Sequence, residues 1–442
     1  MHFYLLTLGC PKNVVDSEAM SELLRAREHV AVAEPADADL LIVNTCGFLA
    51  AARAEALVEL RRLAVQKRPD QFLVAAGCLP QRDGEDILRQ VPEVDALLGT
   101  RRWMEAGTLV AELQKRRSRR QETAHSIVWL GDPALSPPAV RPRPSACSGW
   151  AYLKISDGCD ASCAFCIIPA IKGPLRSRLL DALVVEAQSL AASGAQEIIL
   201  IGQDTTAYGR DLGLSDGLPL LVEAILAGIP QLRWLRLMYA YPARVSERLI
   251  EVMASDPRIC HYLDLPLQHG HPDTLRRMRR PANVKRTLQL IEQLRVAMPD
   301  IALRSTFIVG YPGETEAEFQ TLLDFVQAIQ MDKVGVFTFS AEPGTMAAGL
   351  PDQVSEEAKR ERYERLMATQ QRISLTRNQT QVGRRLDVLV EGIGDGLSVG
   401  RSYRDAPEVD GLVLVSDKLP LARMAPVVIT GAMEYDLLGT AV

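Results

Sequence analysis

Between residues 150 and 375 the chain repeats one pattern six times, a short aliphatic run followed by a longer amphipathic stretch. Residues 150–155, 197–201, 234–238, 262–265, 303–309 and 334–339 read as strands. Residues 179–192, 219–227, 246–254, 283–297, 316–329 and 356–375 read as helices. Strands separated by helices form parallel sheets, and six units in succession predict a partial α/β barrel in preference to a flat doubly wound sheet. Periodicity alone leaves the closure of that barrel open.

The first part of the chain alternates in the same way, with strands predicted over 2–8, 38–43, 71–76 and 94–98 and helices over 16–25, 50–66 and 83–90. This predicts an N-terminal α/β domain, residues 1–112, with a parallel sheet. A linker is placed at 113–148. It begins with the basic run Lys115 to Arg120, which suits a solvated helix C-terminus better than a nucleic-acid contact, and it continues through Pro137-Pro138 and Arg141-Pro142-Arg143-Pro144. The core domain follows at 149–378. From 379 to 442 the texture changes to short β-like runs at 385–390, 412–415 and 426–430, which predict a small all-β barrel or sandwich.

A chain of 442 residues exceeds the size at which one core stops growing, so two or three domains are expected, and 47% apolar residues suffice to fill them. No apolar run reaches the roughly 18 residues of a membrane span, and the N-terminus does not resemble a signal peptide. Eight cysteines in a chain this long, most of them just after predicted strands, do not form a disulfide framework. A reducing, cytoplasmic setting is expected. The net charge of -5 argues against steering of the whole molecule onto phosphate.

Three of the cysteines are spaced Cys159-x3-Cys163-x2-Cys166 directly after the strand run at 150. Three such thiolates can hold three irons of a cubane cluster and leave the fourth iron open. Zinc is the main rival, but a closed structural zinc site needs a fourth ligand, usually in a second pair that is not found nearby, and buried or redox cysteines are the remaining alternative. Cys10, Cys46 and Cys78 each follow a predicted strand, 36 and 32 residues apart. Carboxyl ends of parallel strands share one side of a sheet, so the three could meet at a second metal site. The alternative is three buried, inert thiols. Cys147 and Cys260 read as structural.

Polar residues in or just beyond the core strands, Gln203, Gln268, His269, Arg304 and Thr306, are candidates for lining a cofactor pocket. Each has a structural alternative: a turn and cap at Gln203-Asp204-Thr205, a carboxylate partner for Arg304, and a satisfied core position for His269. Gly310, opening Gly310-Tyr311-Pro312-Gly313-Glu314-Thr315, could admit close backbone approach to a ligand or serve as a strand-to-helix turn. The Gly-Lys-Ser/Thr ending of a P-loop is absent.

The CxxxCxxC triad with Phe165 before its last cysteine closely resembles the radical S-adenosylmethionine family. Together with Gly9-Cys10-Pro11-Lys12-Asn13, Asn44-Thr45-Cys46-Gly47-Phe48, Gly77-Cys78-Leu79-Pro80, Ile201-Gly202-Gln203-Asp204-Thr205 and Asp264-Leu265-Pro266-Leu267-Gln268-His269, nearly the whole chain resembles the methylthiotransferases, most closely the branch acting on ribosomal protein S12. The tRNA-modifying branch usually has Gln-Met-Asn after its first cysteine, where Pro11-Lys12-Asn13 stands here. Lys172 departs from the family pattern, standing where an arginine is expected before Gly173. The resemblance implies a C-terminal TRAM barrel, carried on Val399-Gly400-Arg401-Ser402 and residues 405–411.

That resemblance further implies two 4Fe-4S clusters, an auxiliary one on Cys10, Cys46 and Cys78 and a radical-generating one on Cys159, Cys163 and Cys166. It implies S-adenosyl-L-methionine as substrate and radical source, bound near Gln203, Gln268, His269, Arg304, Thr306 and Gly310. The implied reaction is methylthiolation of the β-carbon of an aspartate in ribosomal protein S12, through a 5′-deoxyadenosyl radical, with a reducing electron donor as a further partner. S12 could be modified free or within the small ribosomal subunit. The alternatives are a tRNA adenosine methylthiotransferase and a non-catalytic iron-sulfur module that binds the ribosome. Residues 381–442 carry six Lys/Arg and nine Asp/Glu, net -3, which suits a basic protein partner better than RNA.

Overall fold

A computed structural model describes residues 1–118, 126–131, 141, 143 and 148–442. Arg119 and Arg120 of the basic run, Pro137-Pro138 and Cys147 lie outside these residues. Packing divides the chain into two compact units. One comprises Met1–Ser145 with Ser156–Ala161 and Cys166–Ala182, and the other Ala146–Ile155, Ser162–Phe165 and Leu183–Val442.

The first unit is built on six parallel strands in the order Val30–Ala31, His2–Thr7, Leu40–Thr45, Phe72–Gly77, Ala96–Gly99, Ile127–Trp129. Strands Leu40–Thr45 and Phe72–Gly77 are buried at every position, because helices cover both faces of the sheet. Leu40, Ile42, Val74 and Ala76 pack with helices Pro11–Arg25 and Ala106–Ser118 on one face. Leu41, Val43, Leu73 and Ala75 meet Ala50–Gln66 and Cys78–Gln90 on the other. The chain leaves the sheet in opposite directions from His2–Thr7 and Leu40–Thr45, so a crevice opens at their carboxyl ends.

Two helices start earlier than periodicity predicts. Pro11 occupies the first turn of Pro11–Arg25 with Cys10 as its N-cap, and Cys78 itself opens Cys78–Gln90. Proline belongs in a first helical turn, where no amide hydrogen is required, so the prolines after Cys10 and Cys78 mark helix starts and not loops. The short edge strands Val30–Ala31 and Ile127–Trp129 have too little pattern to be seen in sequence.

The second unit holds six parallel strands in sequential order, Trp150–Lys154, Glu197–Ile201, Trp234–Leu237, Ile259–Asp264, Ala302–Val309 and Lys333–Thr338. Adding each strand to the same edge without closure produces the partial (β/α)6 barrel that the repeat predicts. Helix Glu316–Ile329 follows strand Ala302–Val309 through a capping box, in which Thr315 and Glu318 satisfy each other's backbone amides. Residues 385–441 form a closed five-stranded barrel, Arg385–Gly394, Leu397–Arg401, Val413–Val415, Leu437–Ala441 and Met424–Ala432. Leu386, Val388, Val413, Val415, Val427 and Ile429 fill it. No helix among the described residues is long and apolar enough to cross a membrane.

In the second unit the small barrel joins the strands of the large one through buried ion pairs. Glu197 accepts from Arg236, and at 2.7 Å from Arg401, which also binds Glu391. Asp332 binds Arg404 at 2.7 Å, and Lys333 lies 2.9 Å from Asp405. Tyr152 and Tyr262 donate to Glu408 and Asp410. The signature at 399–411 is therefore largely internal: Arg401, Arg404 and Asp405 are buried. Arg384, Arg385, Asp387, Asp395, Asp417 and Lys418 are among the exposed charges of this barrel.

Candidate functional site

In the first unit the loops after strands His2–Thr7, Leu40–Thr45 and Phe72–Gly77 bring Cys10, Cys46 and Cys78 together at the crevice. Asn13, one turn into the helix that Cys10 caps, holds them. Its Nδ2 donates to Leu8 O at 2.9 Å and Thr45 O at 3.0 Å, and its Oδ1 lies 3.9 Å from Cys10 Sγ and 4.0 Å from Cys78 Sγ. Beneath it Asn44 donates to Asn13 O and Ser17 Oγ, and Thr45 Oγ1 donates to Ala76 O. Gly9 has φ +101°, and a Cβ there would come within 2.6 Å of Cys46 Cβ. The crossing of these two loops has room only for glycine.

Cys78 stands at a helix N-terminus, where the dipole favours thiolate over thiol. Burial acts the other way and pushes the Cys46 thiol up to about 11 and the Cys78 thiol up as well, while the neighbouring Lys172 works against both rises. Cys46 and Cys78 so placed stay protonated without a metal and give up protons on binding one. Elsewhere, the ligand atoms of His271, Asp273 and Glu318 all lie within 4.8 Å of one another. His271, Asp273 and Glu318 are already engaged in helix caps and in ion pairs with Arg276 and Arg277.

Behind the trio lies a charged cluster. Lys172 is 2% exposed, and its Nζ donates to Thr100 Oγ1 at 2.8 Å, with Asp157 at 3.5 Å and Asp16 at 3.8 Å. Arg141 completes it, 2.6 Å from Asp16, 3.1 Å from Asp157 and over the ring of Trp103. The linker's arginine is thus an anchor of the first unit.

The second cysteine motif is divided between the units, with Cys159 and Cys166 in the first and Cys163 in the second. In the first, Cys159 N donates to Gly173 O at 3.1 Å, and Asp160 Oδ1 accepts from Leu175 N at 2.8 Å. Gly158 has φ +71°, and a Cβ would lie 2.0 Å from Pro174 O. In the second, Ala164 is pinned by backbone bonds to Met278 and Ala347, and Arg280 donates to Cys163 Sγ at 3.7 Å while stacking over Tyr241 at 4.1 Å. Sequence reasoning missed Arg280 and Asn13. Asn13 at least carries a local signal, a polar residue three after Cys10; Arg280 lies 117 residues from its sulfur.

The pocket candidates fall into two groups. Gln203, Gln268 and Gly310 follow the carboxyl ends of their strands, and Thr306 lies on the inner face of Ala302–Val309, where alternate residues Arg304, Thr306 and Ile308 stay partly accessible. Gln203 Oε1 is buried with no hydrogen-bond partner among the described residues, as an acceptor awaiting a ligand would be. Gln268 and Tyr239 hold φ of +75° and +60°, costly values for residues with side chains that cluster where function requires them. Arg304 and His269 are committed elsewhere. Arg304 binds Asp264 at 2.9 Å and Asp410 at 3.3 Å, and buried His269 accepts from His271 N and faces Glu314 at 3.5 Å. A groove of about 870 Å³ between helices Glu247–Ser255 and Val284–Ala297 contains none of these residues.

A parallel-strand hollow beside a CxxxCxxC loop defines a radical S-adenosylmethionine protein, and residues 153–326 match the Radical SAM superfamily. Residues 2–99 match Uncharacterized protein family UPF0004, and residues 382–442 match the TRAM domain. The fold resembles the radical S-adenosylmethionine methyltransferase TsrM of Kitasatospora setae, solved with cobalamin and an iron-sulfur cluster, with TM-score 0.57 at 16% identity over 90% of this chain and 80% of that one. The ribosomal protein uS12 methylthiotransferase RimO of Chloroflexus aurantiacus is 51% identical over the whole of both chains. The corresponding protein of Roseiflexus sp. is 51% identical over 100% of this chain and 97% of that one. The chain belongs to the ribosomal protein uS12 methylthiotransferase family.

Proposed function

We propose that this chain methylthiolates the β-carbon of an aspartate in ribosomal protein uS12. The observation that carries this reading is the convergence of Cys10, Cys46 and Cys78 at a sheet crevice around Asn13, in a chain that also has the CxxxCxxC loop. Cys10, Cys46 and Cys78 would hold one 4Fe-4S cluster and Cys159, Cys163 and Cys166 another. When bound, these clusters and S-adenosylmethionine supply the sulfur and the homolytic hydrogen abstraction. Such a β-hydrogen is not acidic enough for a histidine or carboxylate base near neutral pH, so what remains to the protein's side chains is to orient and to exclude water.

Gln203, Gln268, Thr306 and Gly310 would face S-adenosylmethionine, Gln203 through its unmatched carbonyl oxygen. Arg304 and His269 shape the hollow from behind through their carboxylate partners. Tyr241 and Arg280 support Cys163. Residues 1–112, 149–378 and 379–442 act as the auxiliary-cluster, radical and TRAM modules; of the expected linker 113–148, the end of helix Ala106–Ser118 and strand Ile127–Trp129 instead belong to the first unit, because the strand completes its sheet. The free cysteines among the described residues suit a reducing cytoplasm with an electron donor.

The test incubates anaerobically reconstituted protein with reductant, S-adenosylmethionine and either uS12 peptide, small subunit or tRNA, and locates methylthio groups by fragmentation mass spectrometry. Methylthio-aspartate in uS12 is expected, and it disappears when Cys10, Cys46 and Cys78 are all replaced by Ala. Product on tRNA adenosine instead, or product that survives the triple replacement, overturns the reading.

A further inference from the structure

We propose that Asp410, in the loop between strands Leu397–Arg401 and Val413–Val415 of the small barrel, is a positioning residue for the S-adenosylmethionine hollow: through Arg304 and Asp264 it fixes the strained backbone at Tyr239 and the turn that carries Gln203. The inference rests on the reading that S-adenosylmethionine binds in this hollow, and deepens it by naming the group that holds the hollow's rim in shape.

Every link lies within the second unit. The Asp410 side chain is 2% exposed; its Oδ1 lies 3.3 Å from Arg304 Nε, and its Oδ2 accepts from Tyr262 at 2.6 Å and from Ala406 N at 3.0 Å. Arg304 Nη1 donates to Asp264 Oδ1 at 2.9 Å and to Thr306 Oγ1 at 3.4 Å. Asp264 ends a strand that lies between two neighbours. Its Oδ1 takes Arg304 from strand Ala302–Val309, and its Oδ2 accepts at 3.3 Å from the amide of Tyr239, just past strand Trp234–Leu237. Tyr239 O then accepts from Thr205 N at 3.1 Å and from Thr205 Oγ1 at 3.3 Å, which ties down the turn two residues beyond Gln203. A continuous chain of polar contacts thus runs from the small barrel across four adjacent strands of the large one.

A contact that merely fastened the small barrel could end on any strand residue. This one ends on Tyr239, whose φ of +60° is costly for a residue with a side chain and persists only where its surroundings over-determine it. Asp264 and Thr205 do so, one at the amide and the other at the carbonyl. Asp264 is a buried carboxylate and needs a cation beside it, while Arg304 can serve two carboxylates because its guanidinium is a fork of donors. Without the charge of Asp410 the guanidinium loses one of its two anchors, and the restraint passed through Asp264 to Tyr239 weakens. The groups that then relax are Thr306 and the Gln203 turn, both at the hollow.

The test uses the full chain in two states. In the metal-free protein, amide hydrogen exchange followed by mass spectrometry reads residues 203–206 and 239–241; in the anaerobically reconstituted protein, formation of 5′-deoxyadenosine gives KM for S-adenosylmethionine and kcat separately. Asp410→Asn is expected to speed exchange in both segments by about two- to tenfold, the effect of one buried hydrogen bond, and to raise KM by a similar factor while kcat stays within about twofold. Tyr152→Phe, which removes a hydrogen bond from the large barrel to Glu408 of the same loop, leaves exchange, KM and kcat near the parent values. Tyr262→Phe removes only the hydroxyl that orients the Asp410 carboxylate; it acts in the same direction by less, and decides if Asp410→Asn does not fold. A folded Asp410→Asn protein, or Tyr262→Phe in its place, overturns the proposal if the two segments exchange no faster than in Tyr152→Phe, or if they exchange faster at an unchanged KM. A parent that forms no 5′-deoxyadenosine overturns the placement of S-adenosylmethionine in the hollow, and the proposal with it. A parent that forms it without methylthiolating uS12 overturns the substrate assignment instead, and exchange and KM still decide the role of Asp410, because neither measurement uses uS12.

Discussion

Asn13→Ala tests how the auxiliary site is assembled. The Asn13 side chain is 1% exposed and gives its two amide hydrogens to Leu8 O at 2.9 Å and Thr45 O at 3.0 Å, one carbonyl from each of two cysteine-bearing loops. A buried hydrogen bond contributes about 0.5–1.5 kcal/mol net, and a buried acceptor left unmatched costs about 1–3 kcal/mol. Two such losses, partly relieved where water reaches the crevice, amount to about 2–4 kcal/mol. At about 2–4 °C per kcal/mol for a unit of this size, the unfolding midpoint of the first unit falls by roughly 4–16 °C. The alanine also frees the loops that carry Cys10 and Cys46, so iron bound per chain drops by the share of the auxiliary site. Asn13→Asp keeps the size but replaces donors with acceptors facing two carbonyls, and destabilises at least as much. Thermal unfolding of the metal-free protein by circular dichroism, with iron analysis after anaerobic reconstitution, measures both effects. An Asn13→Ala protein within about 0.5 kcal/mol of the parent and with full iron refutes the view that this side chain ties the loops together.

Gly158→Ala places a methyl group 2.0 Å from Pro174 O in a backbone conformation that costs a residue with a side chain about 1–2 kcal/mol; iron at the CxxxCxxC site and formation of 5′-deoxyadenosine are expected to fall together, and normal values for both would remove the argument. Arg280→Met deletes the donor to Cys163 Sγ and the stack on Tyr241. Iron content should hold while reductive cleavage of S-adenosylmethionine slows at a fixed donor potential, because a lost hydrogen bond to sulfur lowers a cluster's potential; equal rates contradict this. Glu197→Gln leaves Arg236 and Arg401 buried without their shared carboxylate, a loss of about 3–5 kcal/mol in urea unfolding of the second unit. A change below about 1 kcal/mol indicates that the pair is not what joins the small barrel to the strands.

Local pattern settled the elements. Helices 50–66 and 316–329 and strand 197–201 coincide with Ala50–Gln66, Glu316–Ile329 and Glu197–Ile201, because apolar period and burial agree there. The placement of Cys10, Cys46 and Cys78 after parallel strands was likewise visible, since it is a property of the chain itself. Helix starts at Cys10 and Cys78 were not, because proline reads as a break until its position in the first turn is known.

What tertiary structure alone decided is the fate of the polar side chains. Arg304 and Thr306 lie two apart on one strand face and look equivalent in sequence, yet the register Asp264, Arg304, Lys333 across three strands gives Arg304 to Asp264 and to Asp410 of the small barrel. The same holds for Lys172, whose partners Asp16 and Thr100 lie 156 and 72 residues away. Periodicity is a property of neighbours along the chain, whereas a buried charge is stable only beside partners that strand order and loop closure bring to it.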